Sequence, residues 1–183
     1  RSYSIASDPA DNDQLEFIIK HMDGGAFSGL LPKLSIGEEI RLRGPYGQSY
    51  LRDGEGDLIL VATGSGIAPI VSMLKVLARE SQDRSVTFFY GARTAEDVPE
   101  TVASLRELVA DQERAKVGVC LSQAPDIWNG YRGRVTQTIQ SEVPDASSLS
   151  AYVCGSPEMC ETVGVLLEAK GIPDGELRYD KFH

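Results

Sequence analysis

Residues 57–69 read DLILVATGSGIAP. The run from Leu58 to Ala62 is apolar without alternation, as expected of a strand covered on both faces. It ends in a turn, Thr63-Gly64-Ser65-Gly66, and a helix-like segment follows. Over 68–81, APIVSMLKVLARES, the residues Ile70, Met73, Leu74 and Leu77 fall on one side of a helix. Gly64 and Gly66 let the backbone bend and let a ligand approach where no Cβ intervenes. Pro69 suits a first helical turn, whose N–H has no intrahelical partner. The helix start offers free N–H groups and a positive dipole end to a phosphate. No Gly-Lys-Ser/Thr follows, so this is not a nucleotide-triphosphate loop, and Pro69 replaces the third glycine of G-x-G-x-x-G. Taken alone, the turn reads equally well as a tight strand-to-helix connection.

Downstream the alternation continues. SVTFFYGAR (85–93), AKVGVCLS (115–122), LSAYVCG (149–155) and GELRYDKF (175–182) read as strands. DVPETVASLRELVADQ (97–112), RVTQTIQSEV (134–143) and SPEMCETVGVLLEAKG (156–171) read as helices. Five strands alternating with helices predict an α/β domain over 55–183, a doubly wound five-stranded parallel sheet. In the common 3-2-1-4-5 order the first and fourth strands are neighbours, and the loops after them face one crevice. The fourth strand ends in a second Gly turn, YVCGSPEMC at 152–160, with Pro157 opening the next helix. Cys154 there is either a small buried hydrophobe or a residue beside the ligand.

Residues 1–54 read differently, as β structure: QLEFIIKHM (14–22) is strand-like, EEIRLRG (38–44) alternates, GPYGQSYL (44–51) is a turn running into a short strand, and GGAFSGLLPKL holds one helical turn. RDGEGD is a polar junction between the two parts. The chain has 183 residues, 42% of them hydrophobic, enough for a sizeable core, and a formal net charge of -9. That charge repels phosphate backbones and argues against nucleic acid as a partner. Its three cysteines have no paired spacing, and its two histidines, His21 and His183, lie far apart. Neither a disulfide framework nor a metal site is expected, and a reducing, cytoplasmic location is. No apolar run reaches membrane-spanning length and no signal peptide stands at the front.

Together the motifs RSYS, FIIK, GGAFS, GPYG, ATGSGIAP, FFYGAR, GYRGRV, YVCGSPEM and YDKF, in this order, resemble the ferredoxin–NADP reductase superfamily. They are most similar to the reductase components of bacterial aromatic-ring dioxygenases and multicomponent monooxygenases. The resemblance implies that 1–54 is the second half of an antiparallel FAD-binding β-barrel and 55–183 the NAD(P)-binding domain. Arg1 then resembles the arginine on the flavin dinucleotide diphosphate, where a guanidinium forks onto phosphate. Tyr3 resembles the aromatic on the isoalloxazine, and Ser4 the hydroxyl near flavin N5. Ile18, Ile19 and Lys20 match a strand along the flavin, and Gly25, Ala26, Phe27 and Ser28 the segment receiving the diphosphate. From residue type alone, Tyr3 and Phe27 would be core residues and Ser28 a helix cap. Thr63, Gly64, Ser65, Gly66 and Pro69 match the nicotinamide-dinucleotide loop, and Cys154, Gly155, Ser156 and Pro157 the facing loop, with Cys154 beside the nicotinamide. Asp180 and Phe182 resemble the family's acidic residue and aromatic near the flavin, although the acidic residue is often Glu. Ser4, Cys154 and Asp180 are the catalytic candidates.

NADPH-type members of that superfamily carry Ser-Arg after the third strand, whereas this chain has Ser122-Gln123, which lacks the guanidinium that holds a 2′-phosphate. Arg93 could substitute, but Glu96 and Asp97 follow it, so NADH is expected rather than NADPH. The implied function is an FAD-dependent NADH reductase passing single electrons to an iron–sulfur acceptor, a ferredoxin or an oxygenase component. The alternatives are a dinucleotide-binding electron-transfer module without turnover and a scaffold. The chain begins at Arg1 and shows only half a barrel, whose strand edges would be unpaired. An upstream segment is the expected complement, with a second chain or a lost barrel as alternatives.

Overall fold

The computed structural model describes residues 1–54, 56–80, 84–110 and 112–182. Glu55 at the domain junction, Ser81 and Asp111 inside two expected helices, and the terminal His183 lie outside the described residues. The apolar run forms strand β1 (Asp57–Thr63). A 3-10 turn, Gly64–Gly66, leads into helix α1 (Ile67–Glu80), with Ile70, Met73, Leu74 and Leu77 all buried. The chain continues through β2 (Val86–Ala92), α2 (Thr101–Leu108), β3 (Ala115–Leu121), β4 (Tyr131–Arg132), α3 (Val135–Glu142), β5 (Leu149–Gly155), α4 (Pro157–Ala169) and β6 (Leu177–Lys181).

All pairings in the sheet are parallel, in the order β4-β3-β2-β1-β5-β6. The sheet therefore has six strands rather than the expected five. Two residues are too short to carry a periodic signal, which is why β4 is invisible in the sequence. It is held by packing: the Tyr131 ring meets Phe89 edge-on, centroids 5.4 Å apart, above Gly118. A Cβ at Gly118 would lie 2.7 Å from the Tyr131 ring and 2.9 Å from the Phe89 ring, so only glycine admits both. Among the five longer strands the 3-2-1-4-5 order holds, and β1 and β5 are neighbours.

Side chains alternate across the strands and separate the core into two layers. Leu58, Leu60, Phe88, Tyr90, Tyr152 and Cys154 face α1 and α2. Ile59, Val61, Phe89, Ala151 and Val153 face α3 and α4. Helices on both faces explain why these strands read as continuous apolar runs. The expected helix over 97–112 is shorter, because Thr94 and Asp97 form a capping box around a separate 3-10 turn, Ala95–Asp97, and Pro99 lacks an N–H.

The expected strands over 14–22, 38–44 and 44–51 do not form ladders: the described part of 1–56 contains one isolated antiparallel bridge, Ile5 to Phe17. A strand exists only with a partner, and Ile40 and Leu42, which alternate in EEIRLRG, are exposed, as are Tyr46 and Tyr50 beyond them. The segment is nonetheless attached. Ala6 lies in the core layer under α1, with Ile18 and Leu51 packed on its margin. Asp8 pairs with Arg79, and Glu16 with Lys75, both on the outer side of α1. The expected helical turn in 24–34 is the 3-10 turn Leu31–Lys33. No helix among the described residues is long and apolar enough to cross a membrane.

Candidate functional site

The carboxyl ends of β1 and β5 converge because two glycines let their loops touch. A Cβ on Gly66 would stand 2.3 Å from the Cys154 carbonyl oxygen and 2.8 Å from the Gly155 nitrogen. A Cβ on Gly155, whose φ is 152°, would stand 2.3 Å from Thr63 Oγ1. Thr63 and Gly66 on one loop are thus packed against Cys154 and Gly155 on the other, as the strand order requires. Gly64 has φ 55°, with open space where a Cβ would be. Its carbonyl accepts a hydrogen bond from the Tyr90 hydroxyl at 3.3 Å. Burial pushes the Tyr90 hydroxyl up to about 12, so it remains a donor throughout the physiological range.

Two helix starts flank this crevice. Pro69 is buried in the first turn of α1. Pro157 opens α4, and the Ser156 hydroxyl caps it by accepting from the Met159 N–H at 3.4 Å. Small neutral side chains, glycines and two helix N-termini suit a dinucleotide diphosphate, which needs N–H donors and close backbone approach.

Cys154 is completely buried, and its thiol lies 4.0 Å from the Ser49 hydroxyl. Burial, reinforced by the nearby Asp180 carboxylate, pushes that thiol far above its ordinary value, so it stays protonated and cannot serve as a thiolate. Cys154 and Asp180 are register partners across β5 and β6. The Asp180 carboxylate accepts a hydrogen bond from Ser4 at 2.7 Å, across 176 residues of chain. The Phe182 N–H donates to the Gly155 carbonyl at 2.8 Å, placing the Phe182 ring on the margin of the core beside these loops. Ser4, Cys154, Asp180 and Phe182 are therefore gathered at one end of the sheet.

The other flavin candidates spread outward from Ser4. Tyr3 and Phe27 are half-buried and touch, with ring centroids 5.5 Å apart and planes at 50°. Arg1 is exposed. Ser28 is buried, and its hydroxyl accepts from the Met22 N–H at 3.3 Å. Gly25 sits beneath it, where a Cβ would lie 2.3 Å from Ser28 Oγ. Ala26 is exposed on this turn; Ile18 and Ile19 are half-buried, and Lys20 is exposed. An exposed guanidinium, two touching rings and a glycine turn fit the diphosphate and ring of a flavin dinucleotide.

Ser122 and Gln123 are exposed just beyond β3, where their N–H groups donate to Ala92 and Arg93. Arg93 is thus beside Gln123, and its charge helps hold Asp97 below the usual carboxylate range, after the stronger effect of the Thr94 hydrogen bonds. Sequence reasoning missed Ser49, Tyr90 and Tyr152, whose roles are contacts across the fold. Among the described residues no group of three or more His, Cys, Asp or Glu side chains is placed to hold a metal.

Comparison with known proteins follows the same division. An oxidoreductase NAD-binding domain family matches residues 60–164, and an oxidoreductase FAD-binding domain family matches residues 1–50. The reductase component of propane 2-monooxygenase from Gordonia sp. (strain TY-5) is 37% identical over all of this chain and 54% of its own length. The toluate 1,2-dioxygenase electron transfer component of Pseudomonas putida is 31% identical, over all of this chain and 54% of its own. A solved Amycolatopsis cytochrome P450 reductase, GcoB, superposes with a TM-score of 0.89 at 26% identity, covering 98% of this chain and 55% of that one. The chain spans about half the length of the curated relatives it matches.

Proposed function

The chain belongs to the oxidoreductase NAD-binding domain family, and from that premise we propose that it is the nicotinamide-binding part, with the adjoining portion of the flavin-binding part, of an FAD-dependent NADH reductase serving an oxygenase. Residues 1–54 form the flavin part, half of a barrel completed by a segment not in this chain, and 55–183 the nicotinamide part. The observation that carries the reading is the hydrogen bond from Ser4 to Asp180. It joins the flavin candidates to the strand end where Cys154 and the two glycine loops meet.

Bound FAD supplies the conversion of a two-electron hydride donor into single electrons. The protein's share is alignment and electrostatics. The loops at 63–66 and 154–157 hold the NADH diphosphate on backbone N–H groups and the starts of α1 and α4. Arg1 grips the flavin diphosphate, and Tyr3 with Phe27 supports the ring. Asp180 accepts the Ser4 hydroxyl's hydrogen bond and so holds that side chain in place, where it would border a bound flavin. Cys154, neutral and enclosed, gives the nicotinamide an uncharged wall. Phe182 yields its place when the nicotinamide enters, a gating step. Gln123 and the Glu96–Asp97 pair support NADH over a 2′-phosphorylated cofactor. The acceptor is a one-electron iron–sulfur centre, as in the systems for which the relatives are named. The net charge of -9 disfavours nucleic acid as a partner, and a cytoplasmic location follows from the same reading.

The test is anaerobic addition of NADH to flavin-loaded protein, followed at the flavin absorption band. Stoichiometric bleaching is expected, and slower or weaker FAD retention in Arg1→Ala. A flavin that stays oxidised sinks the reductase reading.

A further inference from the structure

Two side chains outside this constellation hold the junction between its halves. Tyr152 lies on β5, 1% exposed, two residues before Cys154 and on the same face of the sheet. Its hydroxyl accepts a hydrogen bond from the Arg52 main-chain N–H at 2.9 Å, across 100 residues. Arg84, 8% exposed just before β2, donates from Nε to the Gly56 carbonyl at 2.6 Å and from Nη1 to the Arg52 carbonyl at 3.4 Å. Both main-chain groups of residue 52 are therefore held by side chains of the sheet domain.

The Tyr152 ring belongs to the core, but its hydroxyl and the Arg84 guanidinium are polar groups buried at its edge. Burying a guanidinium and a phenol hydroxyl is costly unless each is hydrogen-bonded, and both spend their bonds on the junction backbone. Supporting groups surround them. The Arg178 guanidinium lies over the Tyr152 ring at 5.4 Å and pairs with Glu176 at 3.2 Å. Glu176 also accepts from Ser150, and its carboxyl is held below the usual range by Ser150 first, then Arg178, with Arg84 contributing its charge. The Arg52 side chain points elsewhere, over the exposed Tyr50 ring.

The placement connects the junction to the chemistry. Residue 52 meets Tyr152, and three residues earlier Ser49 meets Cys154. Segment 49–52 thus runs beside 152–154 without a strand ladder, in a register set by these two side-chain contacts. With Ser4 on Asp180 as a further anchor, residues 1–54 are fixed in translation and rotation against the carboxyl end of the sheet. We propose that Tyr152 and Arg84 are positioning residues that set the distance between the flavin candidates on 1–54 and the Cys154 end of β5. This rests on the reductase reading and extends it to two residues that need touch neither ligand.

The variants are Tyr152→Phe, which removes only the acceptor oxygen, and Arg84→Lys, which keeps the charge and loses the fork. Two readouts are taken on the flavin-loaded protein: hydrogen exchange of the residue 52 amide, and rapid mixing with NADH, which separates NADH dissociation constant from limiting rate of flavin reduction. Tyr152→Phe should exchange that amide at least about tenfold faster. It should reduce flavin about fivefold more slowly, with FAD retention and the NADH dissociation constant within about twofold of the unaltered protein. Should Arg84→Lys fail to fold, Tyr152→Phe decides by itself. An unchanged exchange rate refutes the clasp. Faster exchange with an unchanged reduction rate refutes positioning, as does a rate loss matched by loss of NADH or FAD binding. If the unaltered holoprotein does not bleach, the reductase reading falls and this inference with it, whereas failure in the variants alone overturns only this inference.

Discussion

Replacing Gly66 by alanine tests the convergence of the two loops most directly. The added Cβ would stand 2.3 Å from the Cys154 carbonyl oxygen, 2.5 Å from its carbon and 2.8 Å from the Gly155 nitrogen. All three are backbone atoms, so no rotamer change relieves the contact; β5 must part from the turn after β1. Overpacking of this kind costs about 3 kcal/mol, the upper part of the usual range, because the neighbours are main chain on a central strand. For a domain of this size that lowers the melting temperature by about 6–12 °C. Gly64→Ala is the control. Its Cβ meets nothing within 4 Å, and its φ of 55° costs an L-residue about 1 kcal/mol, or about 2–4 °C. Thermal unfolding by circular dichroism and NAD titration by calorimetry read both. Gly66→Ala should lose stability and nucleotide affinity together. Gly64→Ala should lose affinity with little stability, since its methyl occupies the side where the dinucleotide is proposed to lie. A Gly66→Ala protein melting within about 2 °C of the unaltered one would refute the argument.

Two other outcomes are expected. Burial pushes the Cys120 thiol up to about 11 from an ordinary 9.0. A folded-state value above the unfolded one means stability is complete below pH 9 and is lost as pH rises toward 11. Between pH 8 and 10 this one group should remove about 1 kcal/mol, and Cys120→Ala should flatten the fall measured by urea denaturation; equal slopes would contradict it. Gln123→Arg places a guanidinium beside Arg93 at the proposed ribose end. It should raise kcat/KM for NADPH about tenfold while leaving NADH within about threefold, by the strength of charged hydrogen bonds. No gain with NADPH in steady-state assays would place the adenosine ribose elsewhere.

The core of the sheet domain was legible because burial on both faces writes itself as apolar runs such as 58–62, and the helix faces as a 3.6-residue period. Glycine at 64 and proline at 69 and 157 likewise have local reasons, in φ or in a missing donor, that residue type announces. The flavin candidates Tyr3, Phe27 and Ser28 were legible only through resemblance, since by type alone the two aromatics pass for core residues and the serine for a helix cap. The β strands expected in 1–54 rested on alternation, which states a preference for one face but names no partner; here the partner ladder is absent and that face stands in solvent.

What the sequence determined by itself is the alternation of strand and helix, the glycine turns after the first and fourth long strands, and the chemistry those turns suit, because each follows from neighbours close in the chain. What only the tertiary structure decided is which distant groups meet: Ser4 on Asp180, Ser49 on Cys154, Arg52 on Tyr152, and Gly66 under the Cys154 carbonyl. Those pairs are separated by roughly 90 to 180 residues, and their contacts follow from strand order and packing depth, which no local pattern encodes.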